Sequence, residues 1–155
     1  EKAKSWISHT TIENNWILDS PAVAIWKYKN SNKYGSYEAM YSNELYIPSK
    51  YQRPEDEWIE LTGSKGLIWI NRCTSELIQS PALVMYKDGE TIEFNDIDSD
   101  WGASFINGIN DFGDAIINNR LSTLSGEEGK KVLIMCRAIQ LSAKEGREVY
   151  LNEIF

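Results

Sequence analysis

The chain has 155 residues, 42% apolar and 25% charged, a composition that suits one soluble globular domain and excludes an extended disordered tract. Its 23 acidic against 16 basic residues leave a net charge of −7, a field that repels nucleic-acid backbone and anionic lipid. No stretch approaches the roughly 18 unbroken apolar residues of a membrane span, and no apolar segment follows a basic start as in a signal peptide.

The first two-thirds reads as strands. The chain opens at Glu1 and reads as strand almost at once, as a piece of a longer protein would. Trp6 and Ile7 lie in a short run that ends at the polar pair Asn14-Asn15. Pro21 opens a second run, Ala22-Val23-Ala24-Ile25-Trp26-Lys27-Tyr28. Tyr37, Ala39 and Tyr41 alternate with other side chains and so share one face of a strand. Residues 43–56, with Pro48, Pro54 and several charges, read as a long irregular loop, a kind that is uncommon in compact domains and often functional. Trp58–Leu61 and Leu67–Asn71 form a hairpin closed by Gly63-Ser64-Lys65-Gly66, and Asp88-Gly89 closes a second between Ala82–Lys87 and Glu90–Asn95.

The last third reads as helices. Trp101, Phe105, Ile109, Phe112 and Ile116 recur at steps of three or four, one apolar stripe of an amphipathic helix that Ser99 or Asp100 caps. Ser125-Gly126-Glu127-Glu128 is a capping box. The helix behind it runs through Val132, Met135, Cys136, Ile139 and Ala143 and stops at Gly146. In that stretch Cys136 reads as a reduced core residue. With Cys73 it makes too few cysteines for a disulfide framework, which fits a cytoplasmic protein. Arg147–Leu151 reads as a final strand. Strands first and helices after indicate an α+β fold: a largely antiparallel open sheet with two helices packed on one face, residues 1–155 forming a single domain.

The chemistry-bearing motifs are mostly absent. There is no G-x-G-x-x-G after a strand and no P-loop. His9 is the one histidine and sits in no triad motif, and one histidine with two distant cysteines makes no zinc site. Asp96, Asp98 and Asp100 lack the glycine and glutamate of a calcium loop and read as charge at a helix start. Six tryptophans and eight tyrosines remain. They fill a core or an oligomer interface, or they stack sugar rings as in a carbohydrate-binding module.

The helical third carries a resemblance. Asp100-Trp101, Ser104-Phe105 and Phe112 with Ala115-Ile116 are followed by Leu124-Ser125-Gly126-Glu127-Glu128-Gly129, then Val132-Leu133, Ala138, Ser142-Ala143, Gly146-Arg147 and Val149. This order, with the two hairpins, resembles the C-terminal domain of the Gfo/Idh/MocA family of NAD(P)-dependent oxidoreductases over about residues 23–151. The resemblance implies a longer parent whose N-terminal Rossmann domain, absent from this chain, binds NAD or NADP. It implies a small-molecule substrate that is a sugar, polyol or similar hydroxyl compound. The family's Glu-Lys-Pro and Asp-x-x-x-His motifs do not occur here, and Ser5 stands four residues before His9, so no catalytic, cofactor or metal residue carries over. Tyr46, Tyr51 and Arg53 in the long loop, with Arg72 at the end of the next strand, are the substrate-contact candidates. Trp26, Tyr28, Tyr37, Tyr41 and Trp69 are candidates for a homo-oligomer interface through a sheet face. The alternative reading is a carbohydrate-binding or protein-interaction module without catalysis.

Overall fold

A computed structural model gives the structure and describes residues 1–42, 56–73, 80–98 and 100–154, with the side chains of Glu13, Asp56, Arg72 and Cys73 outside the description. The fold is α+β, antiparallel and open, as the sequence suggests. Its strands are shared between two four-stranded sheets, and the chain forms two compact units where length and composition suggest one domain. Glu1–Glu44 with Leu121–Phe155 make the first unit, and Leu45–Arg120 the second.

The first unit contains β1 (Lys2–Thr11), β2 (Ile17–Lys27), β3 (Tyr34–Ala39), a long helix (Gly126–Glu145) and a two-residue strand (Val149–Tyr150) that pairs with β1. Ala3 stands opposite Trp26, and Ser5 opposite Ala24. Ala3 and Val149 pack with Ala138 of the helix, Trp26 lies against that cluster, and Ser5 meets Ser142. The contact is made of small side chains, which let the helix backbone come close to the sheet. Hydrogen bonds then become possible across it. The buried Ser142 Oγ accepts from the Ser5 N–H at 3.0 Å and donates to the Arg147 carbonyl at 2.6 Å. The Ser5 hydroxyl donates to the Ile139 carbonyl at 2.6 Å.

Two expectations about this helix change. Its sheet side is Met135, Ala138, Ile139 and Ser142, whereas Val132 and Cys136 are exposed, so Cys136 is no core residue. A hydrophobicity pattern passes over the alanine and serine that the close contact selects. The capping box is half formed. Ser125 Oγ accepts from the Glu128 N–H at 3.3 Å, while the Glu128 carboxylate turns to Lys131. Gly146 takes φ 67°, the left-handed cap, as expected. The final strand is shorter than Arg147–Leu151, because Leu151–Glu153 wind into a 3-10 turn whose Glu153 carboxylate accepts from the Tyr150 N–H and holds Arg147 at 2.8 Å.

The second unit holds β4 (Asp56–Gly63), β5 (Gly66–Cys73), β6 (Leu83–Lys87), β7 (Glu90–Phe94) and α1 (Trp101–Ile117); the long helix and short strand of the first unit are α2 and β8. β4 to β7 form an antiparallel meander. Asp88 and Gly89 both have positive φ, 54° and 86°, the pairing a tight hairpin needs. A Cβ on Gly66 would run into the Tyr86 carbonyl oxygen, so only glycine fits there. Asp100 caps α1, its Oδ1 accepting from the Ala103 N–H at 3.1 Å, and Asp98 Oδ1 accepts from the Asp100 N–H. These two acids thus serve the helix start, as their position suggests; Ser99 lies outside the described residues. Asn119, at φ 48°, turns the chain after α1, and Arg120 pairs with Asp111 and Asp114 at 2.8 and 2.7 Å. Among the described residues no helix is long and apolar enough to cross a membrane.

Candidate functional site

Strand register in the second unit separates two unlike faces. One carries Ile59 and Leu61, Ile68 and Ile70, Leu83 and Met85, Ile92 and Phe94. It is apolar across all four strands, with charge only at its ends. Ile59, Leu61, Ile70, Ile92 and Phe94 remain 37–55% exposed. The stripe of α1 is exposed as well, Trp101 lying edge-on to Phe105 with centroids 5.1 Å apart. Contiguous apolar surface is rarely left bare on monomeric soluble proteins.

The opposite face is aromatic and acidic. Trp58 and Asn71 make one cross-strand row; Glu60, Trp69, Val84 and Glu93 the next; Thr62, Leu67, Tyr86 and Thr91 the third. Trp58 and Trp69 stand edge to face, centroids 6.4 Å apart and planes at 70°. Glu60 accepts from the Thr62 hydroxyl at 2.7 Å and from the Trp69 Nε1–H at 2.8 Å. Those two bonds, Thr62 first, hold its carboxyl below the usual carboxylate range. An open groove runs under the β4–β5 turn, lined by Leu61, Gly66, Ile68, Met85 and Lys87 among others.

The substrate-contact candidates fall largely outside the description. Tyr46, Tyr51 and Arg53 lie outside the described residues; Arg72 pairs with Glu57 at the backbone, and its side chain is outside the description. The interface candidates scatter. Trp26 is on the α2 side, half-buried against Ala3, Ala138 and Val149, with its indole over Gly35, so it belongs to the core rather than to an outer face. Tyr37 lies opposite Ala24 and is exposed; Tyr28 and Tyr41 lie just beyond the strand ends. Trp69 is on the aromatic face. Reasoning from aromatic residues missed the aliphatic face, although the alternation Ile59/Leu61, Ile68/Ile70 and Ile92/Phe94 is visible in the sequence. His9 Nδ1 lies 3.2 Å from Asp19 across β1 and β2, and Asp19 also accepts from Gln140 of α2. Among the described residues no three metal-ligating side chains gather.

Comparison with protein-family models, curated proteins and solved structures gives no match for the chain.

Proposed function

We propose that this chain is the C-terminal sheet domain of an NAD(P)-dependent oxidoreductase of the Gfo/Idh/MocA kind, cytoplasmic and acting on a sugar, polyol or similar hydroxyl compound. In this reading the Rossmann domain of a longer parent binds NAD or NADP and brings the catalytic lysine and histidine. The cofactor carries the hydride chemistry, and the protein supplies orientation, electrostatics and proton transfer. This chain contributes pocket walls, with Tyr46, Tyr51, Arg53 and Arg72 towards the substrate, and the interface of a homo-oligomer.

The observation that supports the reading is the exposed aliphatic face of β4–β7, a surface built for association and carrying no catalytic group. The hairpin turns and helix caps on which the resemblance rests form where the sequence puts them. The reading is tested with the parent and the chain side by side. The parent reduces NAD(P)+ with at least one member of a panel of sugars and polyols, whereas NADH titrated into this chain alone gives no binding heat. A parent inert across the panel, or tight NADH binding by the chain alone, overturns it.

A further inference from the structure

We propose that the Trp58–Glu60–Trp69–Tyr86 face of the β4–β7 sheet is a saccharide-binding platform. Trp58, Trp69 and Tyr86 project from one face of three adjacent strands and are 66%, 36% and 44% exposed. Indole and phenol faces are apolar and carry the negative side of the ring quadrupole. The C–H face of a pyranose, apolar and slightly positive, stacks on such a surface, and its hydroxyls project from the ring edge.

The polar groups suit those hydroxyls. Glu60 is fixed at the rim of Trp69 by bonds from Nε1 and from Thr62, one on each oxygen. An ionised carboxylate only accepts, and each oxygen has a second acceptor site. Both second sites are therefore oriented beside an exposed indole, where a hydroxyl donor would be. Glu93 closes the far end of the same row and Thr91 lies next to it. A few fixed polar groups around an apolar surface are what orients a small ligand.

Other occupants fit less well. Among the described residues the three cross-strand rows contain no cation, so anionic ligands are disfavoured. A second copy docking the same face would bring together two patches that each carry Glu60 and Glu93 and no cation among the described rows. A quaternary ammonium is held best where several ring faces converge around it. Here the edge-to-face pair at 6.4 Å and 70° turns the positive rim of one indole to the other and closes that space. The site does not depend on the oxidoreductase reading, because it uses no cofactor and none of the substrate-contact candidates.

The test uses the whole chain labelled with 15N, so that each indole N–H is seen separately. Glucose, cellotetraose, maltotetraose and tetramethylammonium are titrated in turn. One of the saccharides shifts the Trp58 and Trp69 signals saturably and leaves Trp26 unmoved. Trp69→Ala and Trp58→Ala each weaken that binding by about tenfold or more, Glu60→Gln weakens it by several-fold, and Trp69→Tyr restores part of it, with circular dichroism confirming the fold. No saturable shift up to about 10 mM of any saccharide overturns the proposal, as does binding unchanged in Trp58→Ala and Glu60→Gln. Saturation by tetramethylammonium instead assigns the face to cations and overturns it too. The outcome is read without NAD(P), so it is distinct from failure of the parent's activity.

Discussion

At the scale of single residues, two polar side chains do work that their surroundings make measurable. Ser142 is fully buried and joins β1 to the segment after α2 through two hydrogen bonds. Ser142→Ala leaves the Ser5 N–H and the Arg147 carbonyl without their partner. An unsatisfied buried group costs about 1–3 kcal/mol, so the urea midpoint should fall correspondingly; a loss under about 0.5 kcal/mol contradicts the bridge. Glu60 is the second. Its carboxyl is held below the usual range by Thr62 and Trp69. A depressed folded pKa adds stability that is present above the unfolded value of about 4.3 and is lost as pH falls through the folded value. The Trp69 indole N–H signal should therefore shift with a midpoint below about 4.3. A midpoint at or above that value shows that the carboxylate is not held. The group is exposed, so the effect is read on the signal rather than on global stability.

At the scale of elements, what the sequence made legible was what is decided locally. Glycines at turns, an aspartate or serine at a helix start and a glycine at a helix end act within a few residues, and the hairpins at Gly63–Gly66 and Asp88-Gly89 and both helices form where those signals put them. What escaped depends on the partner across the contact. The α2 contact uses Ala138 and Ser142 because Ala3 and Ser5 are equally small, and no periodicity of large side chains reveals that. The candidate site was legible only in part: period two correctly puts Trp69 with Leu67 on one face, but which residues stand beside them on β4 and β6 is set by register. Gly113 tests the local rules directly. It lies inside α1, and a Cβ there meets nothing within 4 Å. Glycine in a helix interior costs roughly 0.5–1 kcal/mol relative to alanine. Gly113→Ala should therefore raise helix content and the urea midpoint; an unchanged or lower midpoint means that the position has a neighbour in solution.

At the scale of the whole molecule, the aliphatic face of β4–β7 decides whether the chain is found alone. Full burial of a large aliphatic side chain contributes about 1.5–3 kcal/mol. Ile59, Leu61, Ile70, Ile92 and Phe94 are already partly shielded, so each has on the order of 1 kcal/mol left to gain. Across a two-fold axis the same patch meets itself, and apolar residues of this kind do so without opposing charges. With five such residues on each of two subunits the summed gain is roughly 10 kcal/mol, which exceeds the lower end of the 4–15 kcal/mol association cost by about 5 kcal/mol. Association should then be weak, visible at concentrations near 100 μM rather than 1 μM. Sedimentation across that range should show a monomer passing to a dimer or larger assembly. Ile70 is central on the face, and Ile70→Glu would bury an unpaired carboxylate at a cost of several kcal/mol. Each 1.4 kcal/mol is tenfold in affinity, so this variant should remain monomeric across the range and still fold, because residue 70 is partly exposed within its own unit. Thr91→Glu, on the opposite face, should associate as the native chain does. A native chain monomeric at about 100 μM defeats the interface outright, and an Ile70→Glu variant that still associates moves it to another surface.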